Sequence, residues 1–111
     1  MAIAVGGPGG KLELVNPALE KLFGYSSDEA IGRSADELLY PPNLSREEMD
    51  SRLKNAQKES IHETAKRRKK NGDLVDVEVH AVPLPLESGE QDVLALYQDI
   101  SERLEAQRAL R

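Results

Sequence analysis

The chain contains no cysteine among its 111 residues, and this absence excludes several kinds of chemistry at once. Without thiols there is no disulfide, no thiolate nucleophile, no iron–sulfur cluster and no zinc site with sulfur ligands. The absence fits a reducing compartment, and we expect the protein to reside in the cytoplasm.

The sequence also lacks long apolar runs and a recognisable export signal. Its apolar stretches span only a few residues, whereas a transmembrane helix needs about 20. Residues 1–5 are short and have no basic flank, so they do not read as a signal peptide. We expect one soluble domain, with no membrane contact by this segment.

Groups that commonly carry nucleic-acid binding, metal binding or catalysis are few. The net charge is −5, and the basic run from Lys66 to Lys70 contains no aromatic residue, so we expect no nucleic-acid partner. The two histidines, His62 and His80, lie in strand-like segments whose polar residues face solvent. We therefore predict no metal site and no catalytic site, and expect the domain itself not to be an enzyme.

The first half of the chain alternates short strands, turns and helices. Residues 3–5 and 11–15 predict a hairpin around the segment GGPGG. Asn16 and Pro17 suit the start of a helix, and Gly24 suits its end. Three capping boxes follow, each a Ser with a Glu three residues later, at Ser26, Ser34 and Ser45.

The second half changes from a helical period to an alternating one. The helix that begins at Ser45 is the longest and carries one apolar stripe, formed by Met49, Leu53 and Ala56. After Glu59 the chain alternates, most clearly in an apolar set on one strand face: Val75, Val77, Val79 and Ala81. A last strand, residues 93–98, leads into a helix pattern. This order predicts an α+β fold with an antiparallel sheet and helices on one face.

The length of the loop at Asn71-Gly72 determines which basic residue faces the core. With a three-residue loop and Gly72 in the left-handed conformation, Arg67 pairs with Val75 and shares its inward face. A two-residue loop turns Arg68 inward instead. We favour Arg67, because it has the same parity as the apolar residues Ile61 and Ala65.

Three segments resemble the PAS family, and together they cover nearly the whole chain. VNPALEKLFGYSSDEAIG is similar to the first helices of PAS domains, RRKKNGDLVDVEVHAVPL to their later hairpin, and DISERLEAQRALR to the end of the domain and its signalling helix. The resemblance implies a five-stranded sheet, a core over residues 1–100 and a signalling helix that begins in residues 101–111. The relay residues it implies are Asp99, Ile100, Ser101 and Leu104, with Ser101 replacing the usual Thr.

The same resemblance implies a cavity between sheet and helices and directs Tyr97 into it. The candidate ligand-binding residues are Tyr97, Arg67, Val77, Val79, Ala95, Phe23 and Leu53. An inward Arg67 favours an anion such as a carboxylate. The alternative is a self-filled core, in which Tyr97 occupies the space and Arg67 extends to the rim.

The cofactors used by PAS proteins can be compared with the residues present. A cysteinyl–flavin adduct and a thioester-linked chromophore both need a cysteine, which the chain lacks. Haem-binding members use a histidine on the long helix, and residues 45–59 contain none. Flavin bound without an adduct remains open, although Trp is absent and Phe23 is the only Phe, so the sequence gives no support for a coloured cofactor. We predict no cofactor and leave an unidentified small molecule open.

Partners are predicted from the last strand and from the helix after it. If Tyr97 points inward, Leu94 and Leu96 point outward and form an exposed apolar patch, which indicates a homodimer. In the terminal helix, an apolar set needs a partner helix or an effector to cover it: Ile100, Leu104, Ala106 and Leu110. The alternative is a helix that docks back on its own sheet. The resemblance implies a sensory module excised from a larger signalling protein, such as a two-component histidine kinase or a cyclase. The alternative is a dimerisation module without a ligand.

Overall fold

Over the described part of the chain, the fold is a five-stranded antiparallel sheet with four helices between its second and third strands and a fifth helix after the last. The structure is a computed structural model that describes residues 1–41 and 45–109. The strand order is β2-β1-β5-β4-β3. In chain order the elements are β1 (Ala2–Gly6), β2 (Leu12–Val15), α1 (Pro17–Phe23), α2 (Ser27–Ala30), α3 (Ala35–Leu39), α4 (Arg46–Lys58), β3 (Ile61–Arg68), β4 (Leu74–Pro85), β5 (Gln91–Asp99) and α5 (Ser101–Ala109). The predicted α+β architecture is confirmed.

One face of the sheet forms the core, as the alternation in β4 predicts. All four inward residues of that strand are at most 8% exposed, and the largest fully buried side chains are Phe23, Leu19 and Val77. Phe23 and Leu19 come from α1, so the helix packs directly on the sheet. Full burial of a side chain of this size contributes about 2–3 kcal/mol to stability.

Helix α1 is held at its start by a side chain that also binds β1. The Asn16 Oδ1 accepts hydrogen bonds from the backbone N–H groups of Leu19 at 3.0 Å and of Ile3 at 2.9 Å. Pro17 occupies the first turn, and Gly24 ends the helix with φ of 85°. The predicted cap, first turn and stop are all confirmed.

The three predicted capping boxes form to different extents. At Ser26 both halves are present, and at Ser45 the hydroxyl accepts from the N–H of Glu48 at 3.1 Å. The prediction at Ser34 was wrong, because its side chain makes no cap hydrogen bond. There the adjoining Gly10 loop satisfies the helix start, since the Gly10 carbonyl accepts from the Ala35 N–H at 3.2 Å. Helix α3 ends at Leu39, two residues before the Pro41-Pro42 pair that the sequence offers as a helix break, and Pro42 itself lies outside the described residues.

The turn between β3 and β4 has the three-residue form. The Lys69 N–H donates to the Asp73 carbonyl at 2.8 Å, and the Gly72 N–H donates to the Lys69 carbonyl at 2.9 Å. Gly72 has φ of 95°, a left-handed conformation that costs glycine little. Arg67 is consequently opposite Val75 and faces the core, as predicted.

The outer face of the sheet carries the predicted leucines, but they are only partly exposed. Leu94 and Leu96 point away from the helices, opposite Val5 and Ile3 of β1. Their outward direction is confirmed, and their exposure is partial, because neighbouring strands shield each of them on both sides. On the same outer face, Leu14 of β2 lies opposite Val5 and is more exposed than either leucine of β5, at 50%.

No helix within the described ranges is long and apolar enough to cross a lipid bilayer.

Replacing Gly10 with Ala is expected to destabilise the protein by about 1–2 kcal/mol. Gly10 has φ of 86°, and an added Cβ would lie 3.1 Å from Leu53 Cδ2 on α4. The control is Gly9→Ala, where a Cβ would meet nothing within 4 Å. Urea denaturation measures both, and equal midpoints for the two variants would contradict this account.

Candidate functional site

A cavity of about 80 Å³ lies between the inner face of the sheet and helices α3 and α4. Its polar side chains are Asp36, Tyr40, Arg52, Arg67 and Tyr97. An open groove of about 640 Å³ along α4 and β3 shares Tyr40, Arg52 and Arg67 with it. The cavity is therefore small, polar on one side and continuous in its lining with a larger surface groove.

Arg67 brings a buried positive charge to this cavity. Only 6% of its side chain is exposed, so the guanidinium does not extend to the rim. Its Nη1 donates to the Lys66 carbonyl at 3.0 Å, and its Nη2 lies 3.9 Å from Glu63 Oε1. The guanidinium carbon also lies 4.2 Å from the centre of the Tyr40 ring, which gives a cation–π contact.

Tyr97, on β5, lies beside the Arg67 guanidinium. Burial raises the pKa of its phenol to about 12, although the Arg67 charge lowers it in part. The ring packs edge-on against Phe23, with centroids 5.4 Å apart. At neutral pH the hydroxyl is protonated and able to donate or accept a hydrogen bond.

Asp36 of α3 is the titratable acid of the cavity. Partial burial raises its pKa to about 6, and nearby Asp50 and Glu37 act in the same direction, against the charges of Arg67 and Arg52. Burial likewise raises the pKa of Tyr40. Asp36 therefore changes charge close to neutral pH.

The structure brings five of the seven predicted ligand residues to the cavity and leaves two in the core. The five that line it are Arg67, Leu53, Val79, Ala95 and Tyr97. Val77 is one inward position beyond Val79 on β4 and is fully buried. Phe23 is also fully buried, with its ring packed against Tyr97 rather than open to the cavity.

Sequence reasoning missed three polar residues of the cavity: Asp36, Tyr40 and Arg52. Asp36 and Tyr40 are four residues apart, which is the spacing of neighbours on one helix face. Arg52 precedes Ala56 of the apolar stripe by the same interval. These spacings were the available signal.

The predicted relay residues connect β5 to α5. The Asp99 Oδ1 accepts a hydrogen bond from the Ser101 N–H at 2.9 Å, and hydrogen bonds with Ser101 lower the pKa of Asp99. Ile100 is 4% exposed, and its N–H donates to the Asp76 carbonyl at 3.0 Å. Leu104 is partly buried one turn later.

Beyond this first turn α5 is exposed. Arg103 donates to Glu78 Oε2 at 3.0 Å, and residues 105–109 face solvent. Glu78 Oε1 also lies 3.3 Å from His62 Nε2. Leu110 and Arg111, the end of the predicted signalling segment, lie outside the described residues.

Comparison with known proteins identifies the family. The family profile described as "PAS domain" matches residues 1–102. The chain belongs to the PAS family. As a PAS domain, it is a sensory signalling module. A search of curated proteins finds no match.

Several solved PAS structures are similar to this PAS domain. One is a PAS domain of an HTR-like protein from Haloarcula marismortui, with 28% identity, a TM-score of 0.75 and coverage of 89% of this chain and 80% of that one. Another is a PAS domain from Colwellia psychrerythraea, with 27% identity, a TM-score of 0.78 and coverage of 92% and 87%. An RNA-binding light-oxygen-voltage receptor has 25% identity and a TM-score of 0.78 over 98% of this chain but 32% of its own.

Replacing Asp36 with Asn is expected to stabilise the protein near pH 7.5 and to change little near pH 4. The native pKa of about 6 exceeds the ordinary value of 3.8, so the native state holds this proton more tightly than the unfolded state. The wild type consequently loses stability as pH rises from 3.8 to about 6, and it does not regain that stability at higher pH. After allowance for solvent screening, the gain in the variant is on the order of 1 kcal/mol.

Thermal unfolding at the two pH values measures this effect. The control is Asp28→Asn on the exposed side of α2. An equal gain for Asp36→Asn at both pH values would disprove the assignment.

Proposed function

We propose that this PAS domain binds a small molecule in the cavity between sheet and helices and passes the resulting change to α5. One observation carries the proposal: β5 lines the cavity with Tyr97 and, two residues later, holds the start of α5 with Asp99. A strand rises about 3.3 Å per residue, so the two residues lie about 7 Å apart along the chain.

The position of β5 supports transmission along this path. The strand is central in the sheet, paired with β1 on one side and β4 on the other. Its inward residues Val93, Ala95 and Tyr97 all line the cavity. Because both neighbours hold the strand, a displacement of Tyr97 is directed along it towards Ile100 and α5.

The size of the cavity supports a small ligand. Sites for drug-sized molecules and large cofactors measure about 300–1,000 Å³, whereas this cavity measures about 80 Å³. A cysteinyl–flavin adduct also has no cysteine to form on. A ligand of a few heavy atoms fits best, with the groove along α4 as its access.

The proposed receiver of the signal is an effector domain joined to α5, such as a histidine kinase or a cyclase, in a cytoplasmic protein. Support comes from the exposed residues 105–109, which leave the helix free to contact another domain.

The decisive experiment is native mass spectrometry of the purified protein. We expect a retained small molecule in the wild type, and about tenfold weaker retention in Tyr97→Phe, which lacks only the hydroxyl. Tyr25→Phe is the control, because Tyr25 donates weakly to the Leu38 carbonyl at 3.5 Å and does not line the cavity.

A different result supports the self-filled core. In that case no sample retains a molecule, and Tyr97→Ala takes up small apolar probes such as benzene in the space that the ring vacates.

A second candidate function, dimerisation through the outer sheet face, has its own observation. An apolar row crosses four strands on that face: Leu14, Val5, Leu94 and Val82. Leu14, at one end of the row, is 50% exposed. Covering such a row removes apolar surface from water, which favours a homodimer.

Leu14→Glu is expected to convert the dimer to a monomer in sedimentation equilibrium. The matched control is Leu86→Glu, which alters an exposed leucine of similar accessibility, 40%, outside the row. A wild type that stays monomeric at high concentration would contradict the dimer proposal.

A further inference from the structure

The strongest unexplained feature of the cavity is that the partners of Arg67 are neutral. A guanidinium carries five N–H donors, and within the described residues Arg67 donates to the Lys66 carbonyl at 3.0 Å and interacts by hydrogen bonding with the Tyr97 hydroxyl. The Glu63 carboxylate, at 3.9 Å from Nη2, is beyond normal hydrogen-bond length. That same Glu63 Oε1 already accepts from Arg52 Nη1 at 3.0 Å. Burial of a charge is costly when no carboxylate within the described residues lies at hydrogen-bond distance from it.

The other groups around Arg67 do not supply the missing anion at every pH. Tyr40 offers only its ring face to the guanidinium. Asp36 lies near enough to interact electrostatically with Arg67 but forms no ion pair within 4 Å among the described residues, and it becomes neutral as pH falls below about 6. With Asp36 protonated, two guanidiniums face one carboxylate, that of Glu63. The cavity then has an excess of one positive charge.

The lining of the cavity changes from polar to apolar along β5. Tyr97 lies at the polar part with Arg67, and the next inward positions towards the start of the strand are Ala95 and Val93. Leu12 and Leu53 close the apolar part from the side of β2 and α4. A volume of about 80 Å³ exceeds the ~10–15 Å³ that one buried water needs.

From these features we infer that the ligand is a short aliphatic carboxylic acid, bound as its carboxylate to Arg67 and Tyr97 with its carbon chain towards Ala95 and Val93. The inference rests on the proposed ligand-binding function and narrows its ligand class. The guanidinium fork binds both carboxylate oxygens, and the Tyr97 hydroxyl donates to one of them.

The inferred site predicts a pH dependence. The charged and titratable groups that act on Asp36 are Glu37 and Tyr40 from the α3 side, Asp50 and Arg52 from α4, Arg67 from β3 and Tyr97 from β5. An ionised Asp36 competes with the ligand for Arg67. Binding therefore tightens as pH falls from 7.5 to 6, as long as the acid itself remains ionised.

Isothermal titration calorimetry with linear monocarboxylates from acetate to hexanoate tests the inference, with butyramide as the neutral analogue of butyrate. We expect at least one acid to bind and the amide to bind at least about tenfold more weakly. The affinity of Arg67→Gln for the acid should fall by a similar factor. Arg68→Gln is the matched control, since Arg68 points to the other face and donates to the Glu37 carbonyl at 2.7 Å. The amide and pH comparisons use the wild type, so they stand even if Arg67→Gln does not fold.

The outcomes separate this inference from the function on which it rests. Equal binding of acid and amide, or retention of an uncharged molecule with no acid bound, overturns the carboxylate assignment and leaves ligand sensing intact. If no acid or amide binds and native mass spectrometry finds no retained molecule, both fail. Both the carboxylate assignment and ligand sensing are supported if Arg67→Gln loses acid binding while Arg68→Gln keeps it, and if the wild type binds the acid more tightly at pH 6 than at pH 7.5.

Discussion

The left-handed turn at Gly72 fixes the register between β3 and β4, and the chemistry of the interior depends on that register. Side chains in a strand alternate between faces, so a slip of one residue exchanges every inward position for an outward one. In the observed register Arg67 faces the core opposite Val75. After such a slip Arg68 would replace it, and the guanidinium beside Tyr97 would be lost. One backbone conformation thus determines which charge is buried.

A buried guanidinium with few partners is expensive to keep, and the surroundings reduce that cost without removing it. The Tyr40 ring gives a cation–π contact, and Glu63 lies close enough to attract the charge but is already engaged by Arg52. Asp36, the remaining acid, holds its proton up to a pH of about 6 because of its own burial. The surroundings of Arg67 therefore neither neutralise its charge fully nor exclude it from the core. Replacing a buried ion with apolar residues of similar volume is often neutral or stabilising, so the stability of the core does not by itself account for this charge.

The sequence was most informative where one strong local rule applied. Alternation in β4 gave the inward valines, and the Asn71-Gly72 pair gave the hairpin, with Arg67 inward once the loop was known to have three residues. Alternation carries no information on strand order, and for the sheet as a whole the expectation of five strands came from the resemblance to the PAS family. Local patterns also predicted a side-chain cap at Ser34, where the first N–H of the helix, that of Ala35, instead donates to the carbonyl of Gly10, 24 residues before Ser34.

The polar half of the cavity was harder to predict, for a physical reason. Tyr40 meets Arg67 across 27 positions of the chain, and Arg52 meets Glu63 across the junction of α4 and β3. These contacts depend on how the helices are placed over the sheet. That placement comes from packing of many side chains together and leaves only weak helical spacings in the sequence.

The attachment of α5 has a mechanical consequence. Ile100 is buried, and among the described residues of α5 the first turn contacts the core whereas residues 105–109 face solvent. The nine residues of α5 are therefore fastened at one end, at the edge of the core. At ~1.5 Å of rise per residue the arm is about 13 Å long, and a tilt of ~10° moves its far end by roughly 2 Å. A helix fastened along its whole length would resist such a tilt. A helix fastened at one end therefore amplifies a small change of angle at Ile100 into a displacement of ångströms at its far end.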